Sequence, residues 1–257
     1  MSTYSGRRRS FLKNAAAMGI LFPLGRMENK SAGKKQESKL SVVCVGGHPD
    51  DPESGCGGTL INYASQGHGV SIVYLTRGEA GIEGKSHEEA ARIRSAEAEA
   101  ASKIIGATPY FLGQTDGSTF FNRPAIESLH QLLQKLKPDI LLTHWPIDSH
   151  PDHQVASLLS YQCWLRMKRS FALYYFEVNS GSQTMHFTPT DYTDISAVAE
   201  QKKKALYAHT SQNPDEIYMG HHWPMQQFRG REIGVKEAEA FVRLGAGRQT
   251  VLPHGSW

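Results

Sequence analysis

Residues 40–53 read Leu-Ser-Val-Val-Cys-Val-Gly-Gly-His-Pro-Asp-Asp-Pro-Glu, and the order of these residues decides the fold. Residues 40–45 are nearly all apolar and rich in valine. That pattern predicts a strand buried on both faces, because a strand with one wet face alternates apolar and polar residues. Gly46-Gly47 ends the run, and a His/Asp cluster follows at once. A buried strand that runs straight into polar, ligating residues fits an open parallel sheet. In such sheets ligands bind beyond the carboxyl ends of the strands, where the strand order reverses.

The same grammar repeats downstream. Residues 70–76, 110–112, 139–143 and 171–178 predict four more strands. Between them, residues 86–105 predict a helix that Ser86 and Glu89 open as a capping box and Gly106 closes. Its expected apolar stripe is Ala90, Ile93, Ala96, Ala100 and Ile104. A second helix spans 124–136, with Pro124 near its start and Ile126, Leu129, Leu132, Leu133 and Leu136 on one face. Residues 152–164 and 197–208 predict two more, and the rest of the C-terminus reads as an irregular extension onto the same body. Gly55-Cys56-Gly57-Gly58 reads as a tight turn under the site. The fold class is α/β, a mostly parallel sheet with helices on both faces in a single domain.

The chain of 257 residues is 39% hydrophobic and 21% charged, ordinary values for a globular protein. Much of its basic excess precedes residue 40, and no basic stripe with interleaved aromatics marks a nucleic-acid surface. Arg8-Arg9-Ser10-Phe11-Leu12-Lys13 leads a short apolar run over residues 15–24, too short to span a bilayer, so no stable membrane span is expected. Residues 1–38 read as an export signal of twin-arginine type plus linker, and 39–257 as the catalytic domain of a periplasmic or extracellular protein. Cys44, Cys56 and Cys163 form no disulfide framework, and Cys44 reads as a buried small hydrophobe.

Two clusters carry the chemistry. His48-Pro49-Asp50-Asp51-Pro52-Glu53 follows the first strand, and residues 144–153 (H-W-P-I-D-S-H-P-D-H) follow the fourth. A catalytic zinc takes three protein ligands and keeps a position open for water. His48 and Asp51 suit two of these, gripping an ion around a tight proline turn, and His153 suits the third. Asp50 then stands beside the ion as a base, His150 as a donor to the oxyanion or leaving amine, and Asp152 as the group that orients His150. The reaction implied is hydrolysis of an acyl bond. Zinc suits these ligands, and iron or manganese takes the same donors.

Gly-His-Pro-Asp-Asp-x-Glu, then Gly-Gly-Thr, Leu-Thr-Arg-Gly-Glu and His-Pro-Asp-His resemble the PIG-L/LmbE-like deacetylases from about residue 40 to at least residue 212. The resemblance implies a Rossmann-like fold and removal of an acetyl group from an N-acetylglucosamine-like sugar or glycoconjugate. It implies zinc on His48, Asp51 and His153, with Asp50 as base, His150 as acid and Asp152 as its partner. Arg77 resembles a position lining the substrate pocket, and Ala208-His209-Thr210-Ser211-Gln212 a recurrent segment near the site. Asp116 is a candidate for a sugar hydroxyl, and His221, His222, Trp223 and Trp145 for a pocket wall. The partner expected is a small-molecule or glycan substrate, and relatives are often homo-oligomers. Competing readings are a silent sugar- or metal-binding module, a hydrolase of another N-acyl amide, and a dinucleotide oxidoreductase. The last lacks a G-x-G-x-x-G loop.

Overall fold

The structure, a computed structural model, describes residues 39–245 and 252–253. The export signal and linker expected over residues 1–38 lie outside the described residues. No helix among the described residues is long and apolar enough to cross a membrane.

Seven strands form one sheet in the order β3-β2-β1-β4-β5-β7-β6. β1 (Ser41–Gly46), β2 (Gly69–Tyr74), β3 (Thr108–Phe111), β4 (Ile140–His144) and β5 (Ala172–Phe176) pair in parallel, as the buried apolar runs require. The order reverses between β1 and β4, so both His/Asp clusters leave the sheet at its switch point, side by side. Two antiparallel strands, β6 (Asp191–Asp194) and β7 (Ala238–Arg243), extend the far edge. The region expected to be an irregular extension thus supplies β7 to the sheet itself. Two apolar clusters fill the faces, one around Leu60, Ile72, Tyr74 and Phe176, the other around Val43, Leu133, Leu159 and Trp164.

α2 (His87–Ile105), α3 (Arg123–Leu136), α4 (Pro151–Arg166) and α5 (Ala199–Tyr207) occupy the expected segments. Ser86 caps α2 by accepting from the Glu89 amide, and Gly106 ends it in the left-handed conformation. The stripe on α2 matches the expected one in part, with Ala90 buried and Ile93 and Ile104 half-buried. Arg94, Glu97, Ala98, Ala101 and Ile105 are buried, whereas Ala96 and Ala100 are exposed. An alanine-rich helix has little contrast between faces, and here the inward face carries two charged side chains with work to do at the site.

The expected tight turn at Gly55-Cys56-Gly57-Gly58 is instead helix. It lies within α1 (Asp51–Ser65), which kinks at Cys56 (φ −147°, ψ 16°). α1 is buried almost all round, so it carries no amphipathic period to read. Its glycines admit neighbours: a Cβ on Gly55 would strike the Phe176 ring, and one on Gly58 would lie 2.6 Å from Ile195 Cγ2. Glu239 of β7 accepts from the Gly58 and Thr59 amides (2.8 Å each) and so caps the stretch beyond the kink.

Candidate active site

The loop leaving β1 turns into α1 at Asp50, which holds φ 102°, ψ −29°, a region that non-glycine residues seldom occupy. Pro52 at the start of α1 and the amide of Ser54 donating to the Asp50 carbonyl (2.9 Å) fix the turn. This geometry sends Asp51 inward and leaves the Asp50 side chain about a quarter exposed (24%). Opposite, α4 begins at Pro151 with His150 as its N-cap, and brings Asp152 and His153 to the same point.

Asp51 Oδ2 is the centre of the cluster. It lies 3.1 Å from His48 Nδ1, 3.2 Å from His153 Nε2 and 3.4 Å from His144 Nε2. Burial raises the Asp51 carboxyl, but His153, His144 and His48 outweigh it and hold it well below the usual carboxylate range. Three donor sets each close to within 4.8 Å: Asp51–His144–His153, His48–His150–His153, and His48–Asp116–His150–Asp152. The expected ligands His48, Asp51 and His153 are shared between the first two sets. Carboxylate oxygens and imidazole nitrogens gathered this closely are donors that fit a divalent cation, so these residues could hold a metal.

His144 and Asp148 complete the surroundings of His153, and neither was singled out from the sequence. His144 stacks on His153 (3.9 Å between ring centroids, 14° between planes), and its Nε2 accepts from the Gly47 amide at 3.1 Å. Asp148 Oδ1 lies 3.1 Å from His153 Nδ1, leaving His153 Nε2 to face Asp51. Carboxylate–imidazole–metal alignment of this kind fixes the ring and raises its basicity. The spacing D-S-H-P-D-H carried that signal, since Asp148 is the first of the four carboxylates and imidazoles in it. Burial lowers the His153 pKa, but Asp51 and Asp148 push it up to about 9.

The Asp152 carboxylate, expected to orient His150, lies within 4.8 Å of that ring, but its hydrogen bonds go elsewhere. It receives the Gly117 amide (2.8 Å) and the Thr119 hydroxyl (2.6 Å), and lies 3.0 Å from His48 Nε2. His150 Nδ1 instead accepts from the Asp152 amide at 3.3 Å. That leaves the ring proton on Nε2, a neutral imidazole with a donor to spare. Burial, with His48 and His153, lowers the His150 pKa and favours this neutral form.

The remaining candidates divide. Asp116 enters the cluster, with Oδ1 3.1 Å from His48 Nε2 and Oδ2 accepting from the Ala80 amide. Arg77 does not reach the site. It is exposed, with its guanidinium 5.5 Å from the Phe111 ring centroid, because residue 77 lies outside the turn that Gly78 makes. The buried arginine here is Arg94, whose Nη2 donates to the Pro49 carbonyl and to Asp50 Oδ2 (2.9 Å). Burial raises the Asp50 carboxyl, Arg94 opposes the rise and Asp51 adds to it, with a net shift upward.

A cavity of about 240 Å³ opens beside Asp50 and Asp51. Amides of Asn179, Gln183 and Gln212, imidazoles of His209, His221 and His222, and apolar Val178, Leu206, Pro214 and Ile217 line it. Trp145 and Trp223 are not among its walls, and among the described residues none that lines it is a lysine or arginine. His209 is buried, its Nε2 3.3 Å from Glu53 Oε1 and both its ring nitrogens without a hydrogen bond. His222 is buried too; burial, with Lys202 and His221, lowers its pKa to about 3, so it is neutral.

The family model described as PIG-L, GlcNAc-PI de-N-acetylase, matches residues 43–164, which span both His/Asp clusters. The diacetylchitobiose deacetylase of Thermococcus kodakarensis is 30% identical over 192 residues, covering 69% of this chain and 72% of that protein. The chain belongs to the PIG-L family. Among solved structures, the N,N′-diacetylchitobiose deacetylase of Pyrococcus horikoshii superposes with a TM-score of 0.69 at 28% identity. That match covers 79% of this chain and 83% of the other. A 4-oxalmesaconate hydratase of Pseudomonas putida is also similar, 24% identical over 83% of this chain and 90% of that protein. Similarity to proteins of both kinds leaves the choice of reaction to the site.

Proposed function

We propose that this PIG-L protein is a zinc-dependent hydrolase that removes acetyl from the nitrogen of a neutral N-acetylglucosamine-like sugar. One observation carries the reading. Asp50, braced at a strained turn next to Asp51, opens onto a cavity lined by amides, imidazoles and apolar groups, with no lysine or arginine among the described residues. Amides that donate and accept, set against an apolar wall, match a sugar with hydroxyls on its edges and C–H groups on its faces. An unsaturated oxo-acid of the kind a hydratase takes carries two or more carboxylates. Those carboxylates would meet Asp50 and Asp51, and none of the described lining residues offers a guanidinium or ammonium to receive them.

His48, Asp51 and His153, with His144 stacked behind His153, would hold the zinc, which would supply Lewis acidity toward the acyl oxygen and toward water. The chain's own groups do the rest. Asp50, its pKa raised, takes the proton of the attacking water, and His150 donates from Nε2 to the oxygen that becomes negative. Asp148 holds His153, and Asp152 holds His48 and the loop of Gly117 and Thr119. His209, with no hydrogen bond at either ring nitrogen, is a candidate contact for a sugar oxygen. The basic-then-apolar segment before residue 25 supports export of the folded enzyme by a twin-arginine route.

The test is acetate release by the zinc-loaded protein from N-acetylglucosamine, N,N′-diacetylchitobiose and N-acetylglucosamine 6-phosphate. The reading expects acetate from at least one neutral sugar and, for want of a cationic wall, at least about tenfold lower kcat/KM on the phosphate. Zinc bound at one per chain with no acetate from any neutral N-acetyl sugar would overturn it.

A further inference from the structure

The backbone of Asp50 is strained for a non-glycine residue, and strain of this kind persists only where surrounding contacts over-determine it. Ser54 supplies part of the restraint, because its amide and its hydroxyl both donate to the Asp50 carbonyl at 2.9 Å. These contacts fix the main chain and leave the carboxylate free to rotate. The side chain is held by Arg94, which reaches across from α2 and is 4% exposed. A single guanidinium nitrogen, Nη2, donates both to the Pro49 carbonyl and to Asp50 Oδ2. It therefore ties the carboxylate to the peptide just before it, across the strained residue.

The surroundings are shaped for this arginine. A Cβ on Gly78 would lie 2.6 Å from Arg94 Cδ, and one on Gly81 would strike Nη1. The turn after β2 thus wraps the guanidinium closely, and Arg94 Nε is buried there without a hydrogen-bond partner. A buried donor left unpaired destabilises the fold, so a purely stabilising arginine is a poor account of the arrangement. One turn further along α2, Glu97 receives the Thr210 hydroxyl, the Ser211 amide and the Ser211 hydroxyl (2.7–2.8 Å). The same helix face thereby anchors the chain next to His209, across the cavity from Asp50.

We infer that Arg94 is a positioning residue for Asp50, and that Gly78 and Gly81 seat its guanidinium so that the carboxylate is held at one angle over the cavity. The inference rests on Asp50 acting as the base in amide hydrolysis. A carboxylate turned by about 1 Å loses on the order of 100-fold in rate without losing substrate affinity.

The experiment uses the zinc-loaded full chain and whichever N-acetyl sugar the wild type cleaves. Arg94→Lys and Arg94→Ala are expected to lower kcat about 100-fold, with KM within about twofold and zinc content unchanged. Millimolar guanidinium ion should restore about tenfold of the loss in Arg94→Ala and nothing in Arg94→Lys, whose ammonium fills the seat. Gly81→Ala decides the matter if the arginine variants do not fold. Gly81 is exposed and its backbone is unstrained, so the substitution displaces the guanidinium while Arg94 stays in place. It should show the same fall in kcat at constant KM. Full kcat in Gly81→Ala, or activity in the Arg94 variants that tracks melting temperature or zinc content, would overturn the inference. A wild type that releases no acetate would instead remove the reading of Asp50 as a base.

Discussion

Removing the carboxylate of Asp148 separates two contributions to metal affinity. Asp148 Oδ1 lies 3.1 Å from His153 Nδ1, and the opposite nitrogen of that ring lies 3.2 Å from Asp51 Oδ2. The carboxylate therefore does two things for His153: it orients the ring and it adds negative charge behind it. Losing such a partner lowers metal affinity by about 10- to 100-fold, equivalent to about 1.4–2.7 kcal/mol. In Asp148→Asn the amide oxygen still accepts from Nδ1–H, so only the charge is lost and the expected fall is about tenfold. Asp148→Ala loses both contributions and should sit near 100-fold. It also strips an acceptor from the Thr184 hydroxyl (3.0 Å) and the His150 amide (2.9 Å), which should cost about 1–3 kcal/mol in urea unfolding. Zinc affinity is read by competition with a chromogenic chelator at pH 7, and kcat is then measured at saturating zinc. Asp148→Asn should recover wild-type kcat once saturated. An Asp148→Ala protein that binds zinc as tightly as the wild type would refute the reasoning.

Metal affinity should also depend on pH. Burial works against protonation of His153, but Asp51 and Asp148 prevail, so the metal-free ring keeps its proton up to about pH 9, and the His48 pKa is raised too. Zinc must displace these protons, so affinity should be weakest in acid and tighten by about tenfold per pH unit for each proton displaced, levelling off above that pKa. A flat affinity between pH 6 and pH 9 would exclude those protonation states. Away from the site, Lys202 is 2% exposed and its Nζ lies 2.7 Å from Glu239 Oε1. Lys202→Met should destabilise the fold by about 3–5 kcal/mol by leaving that buried carboxylate without its counter-charge. A single-variant cost below about 1 kcal/mol would count against a tightly paired buried charge.

The sequence was most legible where strands were buried on both faces. Residues 40–45 could be read as a strand because unbroken apolar residues have one common explanation, and the His/Asp clusters stood out because they interrupt such runs. α1 escaped the same logic. A helix buried on every side has no wet face and thus no period, and its glycines, placed for Phe176 and Ile195, imitate a turn. The inward face of α2 was misjudged for a related reason: Arg94 and Glu97 are charged, and hydrophobicity alone turns charged residues outward. β6 is four residues long, two of them aspartate, and gains its place through pairing with β7 rather than through its own pattern. His48, Asp51, His153, Asp50 and His150 were found from their density in two motifs. Contacts made across the fold were beyond reach: Asp152 on His48 and Thr119, His144 behind His153, and Arg94 in the place where Arg77 was sought. In each of those the partner lies more than 30 residues away or depends on ring orientation.

The central claim, that Asp50 drives hydrolysis beside a metal held by its neighbours, meets its most direct test in acetate release by zinc-loaded Asp50→Asn. The substitution keeps the size of the side chain and an oxygen for Arg94. The account predicts zinc at the wild-type stoichiometry and kcat lower by about 10²- to 10⁴-fold, the usual loss for a missing general base. An Asp50→Asn enzyme that holds zinc and turns over at the wild-type rate would contradict it.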